Sequence, residues 1–434
     1  MSEIQRLIGE FNWTIFSDKH ITETQMKKLI FIVIALCGLA MAYTYHEAYL
    51  IGGPTLPPSI HSSGMGNLRI LPPVNSTNAL WAPSLLPESG FTAEASFYAN
   101  HVGEDRSMPL YDTFEDRIGW SSYVSTAQTY GAFSGFISYG FNDAWLPTVA
   151  AGYAPIYDSR YTYREQIRES NGPAEDMLLG VWSIDSDGQL AAPIFGICER
   201  ISKYGSIGLS VAFLSGTIEM HRSPAAGDSV VHNAYPWEAA FDYDTIYSAD
   251  LSGTMINVSA VATPTDRWQI GLRYTPKVEF DESLYADLLP SRLGLGVGYR
   301  PPGYVISRVV FEAEMAAYSE LAEADSDFAE MTDCWEFRLG LEHIMPSGIP
   351  LRIGAYHSII PLADPVAKTG FTLGSGVAFG PVVANLNAGY EMSKYNHHDQ
   401  FPETWLPGSP DDREDMDQVT EGILYGGIGL RVEF

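Results

Sequence analysis

The chain is short of cysteine, of basic residues and of long apolar runs. Its 434 residues hold three cysteines, Cys37, Cys198 and Cys334, and no Cys-x-x-Cys pair. Zinc-ribbon and thioredoxin-like chemistry therefore have no support, and Cys198 and Cys334 read as two separate structural thiols. Lys and Arg number 25 against 53 Asp and Glu, a formal net charge of −28. A nucleic-acid partner needs a basic footprint, so none is expected. The apolar run from Leu29 to Leu39 is too short to cross a bilayer comfortably as a helix. There is no G-x-S-x-G elbow and no P-loop, and His46-Glu47 lacks the second histidine of a zinc-protease helix. Asp185-Ser186-Asp187-Gly188 lacks the distal Glu of a calcium loop and reads as an Asp-Gly hairpin turn. His397-His398-Asp399 has no spaced partner ligand and reads as a solvated loop. No catalytic residue, metal site or cofactor is expected, and the chain does not read as an enzyme.

What is present is β-structure. Hydrophobic residues make up 46% of the chain, with 40 glycines, 25 tyrosines and 20 phenylalanines. The last fourteen residues, EGILYGGIGLRVEF, alternate strictly. Phe434, Val432, Leu430, Ile428 and Leu424 share one face, while Glu433, Arg431, Tyr425 and Glu421 share the other. The same alternation runs through Ile207–Phe213, Trp268–Thr275, Trp335–Glu342, Leu351–Tyr356 and Val382–Glu391. In a soluble sandwich the apolar face of such strands meets another sheet; in a membrane barrel it meets lipid and the polar face lines the lumen. The number of strands, with no helical domain beside them, favours the barrel, with a strand count of roughly 14. Gly294-x-Gly296-x-Gly298, spaced by twos, is a glycine stripe on one strand and not a dinucleotide loop. Asp143, Asp266 and Asp333 each stand two residues before a Trp (Trp145, Trp268 and Trp335), a pattern that fits short turns leading into an aromatic girdle. Acidic stretches at Val102–Asp116, His221–Tyr235, Glu320–Asp333 and Phe401–Gln418 read as the longer loops. On the polar parities lie Arg273, Arg308, Arg338, Arg352 and Arg431, with Glu312, Glu314, Glu336, Glu342, Glu391 and Glu433. Mixed charges inside a barrel pair across strands, brace the wall or hold whatever fills it.

The N-terminal ninety residues divide in three. Met26-Lys27-Lys28, the run Leu29–Leu39 and Ala40-Met41-Ala42 have the order of a secretory signal peptide, cut between Ala42 and Tyr43. Residues 1–25 then read as an upstream extension ahead of a start at Met26; a single N-terminal anchor helix is the alternative. Cys37 follows bulky Leu36, unlike a lipoprotein cysteine. Residues 43–89 carry Pro54, Pro57, Pro58, Pro72, Pro73, Pro83 and Pro87 among apolar residues, which blocks long helices and ladder strands. A stretch both proline-broken and apolar is expected to pack inside the barrel of residues 90–434, as a plug.

Two resemblances sharpen this. The closing strand, with Tyr425, Leu430, Val432 and the terminal Phe434, resembles the C-terminal signal of bacterial outer-membrane barrels, which implies the barrel assembly machinery and outer-membrane lipid as partners. His61-Ser62-Ser63-Gly64-Met65-Gly66-Asn67, the apolar stretch Asn78–Leu86, Phe136–Asn142 and Gly152–Tyr157 together resemble the FadL-type outer-membrane transporter family. Trp81-Ala82-Pro83-Ser84 stands where that family carries Asn-Pro-Ala-Gly, a departure within the hatch. The resemblance implies a 14-stranded barrel plugged by its N-terminal segment, with Gly64, Met65, Gly66, Asn67, Trp81 and Pro83 in the plug. It implies passive uptake of a hydrophobic small molecule such as a long-chain fatty acid, and an inward kink in an early strand that opens a lateral exit. Gly152 and Pro155 are the candidates for that kink, since proline cannot complete a ladder. A subgroup resembling the barrel shuttle of type IX secretion binds proteins instead, and a porin for small polar solutes is a third reading. An apolar pocket between plug and wall is expected of the first reading only.

Overall fold

The computed structural model describes residues 51–114, 116–141, 146–168, 178–226, 245–281, 286–303, 306–325, 328–360, 366–400 and 416–434. The signal peptide, the Ala42–Tyr43 cleavage pair, His46-Glu47, Cys37 and the turn at Trp145 lie outside the described residues.

In chain order the strands are β1 (Gly53–Pro54), β2 (Gly90–Tyr111), β3 (Arg117–Gly140), β4 (Thr148–Asp158), β5 (Tyr161–Arg168), β6 (Leu178–Ser202), β7 (Gly205–Ala226), β8 (Thr245–Thr265) and β9 (Trp268–Thr275). They continue with β10 (Val278–Glu279), β11 (Leu288–Leu289), β12 (Arg292–Tyr299), β13 (Ile306–Ala316), β14 (Cys334–Ile344), β15 (Pro350–Ile360), β16 (Val366–Phe379), β17 (Val382–His397) and β18 (Asp417–Glu433). Short helices α1 (Ile60–Ser63) and α2 (Asn78–Trp81) and a 3-10 turn at Pro83–Leu85 lie before β2, and α3 (Ser319–Ala324) lies between β13 and β14. Each wall strand pairs antiparallel with its neighbour, β18 pairs with β2, and β4 and β5 pair with successive halves of β6. With β4 and β5 counted as one interrupted strand, the wall is a closed barrel of 14 strands, as the alternation anticipated.

The outward faces decide against a sandwich. Phe195, Ile256, Leu272, Phe311, Leu373 and Leu424, drawn from strands all round the wall, are between 39% and 58% exposed. Among the described residues no second sheet covers them, and a belt of this kind is stable only against lipid. Trp268 packs on Tyr299 with ring centroids 4.6 Å apart, and Tyr139 on Phe141 at 4.9 Å, both at the end that carries Phe434. Trp335 stacks on Phe337 at the opposite end, where the longer connections are. The Asp-x-Trp repeat therefore does not mark a single girdle.

The wall is lopsided. Strands β2, β3, β6, β7 and β8 have 21 to 25 residues, whereas β9 and β12 to β15 have 8 to 11. Nine to eleven residues suffice to span a bilayer in a barrel, so the first group stands well above the apolar belt. This corrects two expected loops: Val102–Tyr111 is the upper part of β2, and β7 continues to Ala226. The Glu320–Asp333 loop contains α3, and the Phe401–Gln418 loop is outside the described residues apart from Met416 and the start of β18.

Candidate functional site: an apolar column and a break in the wall

Residues 51–86 lie inside the barrel, on a bed made of glycines. The inward positions Gly271, Gly294 and Gly296 leave room for Ile70 and Leu71, whose side chains stand 2.5 to 3.2 Å from where Cβ atoms would be. Gly340 and Gly354 receive the backbone of Met65 and Gly66, and Gly374 receives Gly64. The stripe Gly294-x-Gly296-x-Gly298 is thus part of a groove. Gly66 (φ 76°) and Asn67 (φ 58°) adopt left-handed backbone where the segment turns, and Gly66 N–H donates to Thr372 Oγ1 at 2.8 Å. Asn67 Nδ2 donates to Tyr425 Oη at 3.2 Å, so Tyr425 faces the lumen while Leu430 and Phe434 face outward. Pro83 sits over Gly208 in the 3-10 turn.

The charges fall into two sets. One braces the wall: Arg273 meets Glu314 at 3.0 Å, and Arg292 bridges Glu314 at 3.2 Å and Glu336 at 2.8 Å. Arg338 closes on Glu336 from the other side. The other set holds the segment. The Glu312 carboxylate accepts the backbone N–H groups of Arg69, Ile70 and Leu71 at 2.9, 3.0 and 2.7 Å. Arg308 donates to Leu71 O at 3.0 Å, and Arg431 to Val74 O at 3.2 Å. Glu342 takes Arg352 at 2.7 Å and His61 at 2.5 Å. Trp81 lies between two guanidinium groups, Arg69 at 5.2 Å and Arg273 at 4.7 Å from its ring centroid. Arg69 and Arg292 were not singled out in the sequence. Arg292 was legible there, two residues before Gly294 on the same parity; Arg69, in the proline-broken stretch, carried no signal.

His61 makes this attachment pH-dependent. Burial, with Arg352 nearby, pushes its pKa down from 6.5 to about 4 despite the Glu342 hydrogen bond. A free segment takes up the proton near 6.5 and a docked one only near 4, so docking has full strength above pH 6.5 and weakens as pH falls towards 4. The loss amounts to roughly 3 kcal/mol at the acid end. Hydrogen exchange of the α1 amides, corrected for intrinsic rate, is expected to rise over that window, and His61→Gln to flatten the dependence. An exchange rate that stays constant from pH 7 to 4.5 would refute this.

Opposite the glycine bed the lumen is apolar and packed. One buried cluster begins at the loop end with Val278, Phe280, Leu288 and Leu289 of the β10–β11 hairpin and Leu321 of α3. It continues through Leu251, Met255, Ile218 and Leu214, and reaches Leu190, Ile194, Ile156 and Tyr157, with Leu80, Trp81 and Leu86 beneath. Its lower part borders an interruption in the wall. β3 pairs with β4 only from Gly135↔Tyr153 to Tyr139↔Val149. Beyond Tyr153 every residue from Ala154 to Ser159 is buried, so the alternation stops and the strand turns inward. The β4–β6 register shifts between Pro155 and Tyr157. The edge that β3 gives up is taken by the segment: β1 pairs as Gly53↔Asp158 and Pro54↔Tyr157, and Thr55 bonds Ile156 O and Pro155 O at 2.9 and 2.8 Å. Among the described residues no ladder joins β3 to β5; Gln128 reaches Thr162 O, and Arg160 lies 5.1 Å from the Tyr130 ring. Gly152 is needed here because the Phe136 ring lies 2.1 Å from where its Cβ would be. The Asp185–Gly188 motif is not a hairpin turn. It lies within β6 opposite the bend, where β4 hands over to β5 and Ser159 N–H bonds Gly188 O at 3.1 Å.

The space between segment and wall, where an apolar pocket is expected, holds a cavity of about 90 Å³ with a mixed lining that includes Leu56, Arg69, Glu336, Lys368, Glu391 and Ile423. It has room for about three waters or one small polar group. Apolar residues have collapsed on one another in the column, while the polar face of the segment leaves space. Cys198 and Cys334 are both free and buried.

The arrangement is a 14-stranded barrel with an exposed apolar belt, filled by its own N-terminal segment and interrupted at its third strand. Similar solved structures are a Pseudomonas aeruginosa FadL homologue (TM-score 0.58, 11% identity, 89% of this chain and 99% of that one) and the Pseudomonas putida toluene transporter TodX (0.58, 10%, 89% and 100%). A third is the monoaromatic hydrocarbon channel CymD (0.53, 11%, 89% and 98%). At these identities the likeness establishes the fold. No protein-family model and no curated protein sequence matches the chain.

Proposed function

We propose that this protein is an outer-membrane channel through which hydrophobic small molecules, long-chain carboxylates among them, diffuse from outside into the lumen and leave sideways at the β3–β5 break. The observation that carries this reading is the single apolar cluster running from the β10–β11 hairpin and α3 to Ile156 and Tyr157, where β3 lets go of β4. Residues 51–86 act as the plug, and their packing counts against a porin for polar solutes. Because the column is filled, cargo advances by displacing side chains, which needs no energy source. The small cavity offers a carboxylate head the Arg69 guanidinium, whose one hydrogen-bond acceptor among the described residues is the Thr55 carbonyl at 3.2 Å; Glu336 and Glu391 line the cavity too, and Lys368 lies 3.7 Å from Glu391. The apolar belt contacts outer-membrane lipid, and the closing strand ending at Phe434 is what the barrel assembly machinery reads. The solved neighbours named as toluene and hydrocarbon channels support a hydrophobic cargo.

Pro155→Val tests the lateral exit. Valine supplies the missing N–H and prefers extended backbone, which favours zipping β4 back onto β3. Uptake of a labelled long-chain fatty acid by cells relying on this protein is expected to fall by about tenfold, the effect of roughly 1.4 kcal/mol on the open wall. Uptake at the original rate would remove the exit from this position.

A further inference from the structure

The short-turn end of the lumen contains a buried carboxyl group with no visible partner. Glu94 on β2 is 4% exposed, and neither of its carboxylate oxygens has a hydrogen-bond partner among the described residues. Burying a carboxylate without a partner costs several kcal/mol. Directly across the β18–β2 ladder its register partner is Arg431. That arginine bonds elsewhere. Its Nη1 donates to Val74 O at 3.2 Å, and its Nε lies 3.0 Å from Glu433 Oε1 without a hydrogen bond's alignment. Glu433 is half exposed, so that ion pair is worth little. Arg352, the other cation near Glu94, is committed to Glu342, Ser375 O and Asn385, at 2.7, 2.9 and 2.9 Å. Ser138 on β3, directly opposite Thr92 and diagonal to Glu94, also has an unpartnered hydroxyl.

We propose that Arg431 is a two-position latch on the floor of the plug, with Glu94 as its second acceptor. In the position seen, Arg431 ties Val74 to the wall. Among the described residues this is the one hydrogen bond from the wall to residues 72–77; those of Asn75, Thr77 and Asn78 stay within the segment. In the second position the guanidinium turns to Glu94, satisfies the buried carboxylate and leaves residues 72–77 without a hydrogen bond to the wall. Each position sacrifices something the other gains, an exposed carbonyl and a weak ion pair against a buried charge pair, so the two lie close in free energy and a small perturbation selects between them. The latch concerns the opening of the floor and stands whether or not the proposed cargo and lateral exit are right.

The test uses the reactivity of a thiol at residue 76, which is fully buried as serine. Ser76→Cys is placed in the full barrel with the native cysteines replaced by alanine, and its rate with a charged maleimide is measured in detergent. Glu94→Gln removes the charge that draws the guanidinium across, leaving a weaker amide acceptor, and is expected to slow labelling by about tenfold, the difference between a charge-assisted and a neutral hydrogen bond. Arg431→Gln removes the tie itself and is expected to speed it. The double variant should match Arg431→Gln alone, because Glu94 acts only through the arginine. A Glu94→Gln rate equal to or above the original, or a double variant slower than Arg431→Gln, would overturn the latch. Hydrogen exchange of the amides of residues 74–77 with the native cysteines in place reads the same equilibrium, and the same ordering of variants is required there.

Discussion

Glu312→Ala is expected to open the barrel. The Glu312 carboxylate is fully buried and takes three consecutive backbone N–H groups, those of Arg69, Ile70 and Leu71. It does for this turn what a capping side chain does for a helix end, at a place where the segment has no ladder of its own. Alanine leaves three buried donors facing an apolar methyl, and orphaned donors cost about 1–3 kcal/mol each. Water entering the gap recovers part of this, so a weakening of plug docking by roughly 3–5 kcal/mol is the reasonable expectation. That shifts the docking equilibrium by about 100- to 1000-fold or more. In planar bilayers the original protein should show little conductance and the variant frequent steps. Protease added to the purified barrel should cut within residues 55–86 of the variant first. Glu312→Gln keeps one carbonyl acceptor and should fall between the two. A Glu312→Ala barrel as closed and as resistant as the original would mean that packing alone holds the plug.

The parts of the molecule that face lipid were the easiest to read, because the bilayer forces one face of every strand to be apolar. Phe434, Leu430, Ile428 and Leu424 alternate for that reason, and so do Trp268, Ile270 and Leu272. The reading failed where this constraint ends. Above the belt β2 has His101 and Asp105 outside and Glu104 and Arg106 inside, so a strand that is polar on both faces looks like an acidic loop. Asp185-Ser186-Asp187-Gly188 looked like a hairpin turn because nothing local reveals that β5 and β7 flank it on both sides. The glycine stripe was visible as a period, but what fills it, Ile70 and Leu71, lies more than 200 residues away. The same distance separates Glu312 from the donors that it holds: its parity placed it in the lumen, and only the fold shows it gripping the plug.

Gly354→Val should release the plug by a different route, which makes the pair of experiments informative. A Cβ at residue 354 would stand 1.9 Å from Gly66 N and 2.4 Å from Met65 C. Those are backbone atoms, so no side chain can swing aside. Gly66 cannot adjust easily either: its φ of 76° already fixes the turn, and Leu339 O and Ala355 O crowd it from the wall. The segment must lift from β14 and β15, which exposes Met65 and Leu68, both at most 1% accessible in the docked state. Burial of each is worth about 1.5–3 kcal/mol, so docking loses roughly 3–6 kcal/mol. The wall should tolerate the change. Gly354 is an inward position paired with Gly340 and Thr372, its lipid-facing neighbours Ile353 and Ala355 are untouched, and valine suits a strand. The expected outcome is a barrel that keeps its heat-modifiable migration on gels and conducts as Glu312→Ala does. Gly119→Val is the control, since nothing lies within 4 Å of a Cβ there. If Gly354→Val stays closed, the segment does not rest on the β14–β15 groove in the membrane. If it fails to form a barrel at all, the plug is needed for assembly, and its docking precedes closure of the wall.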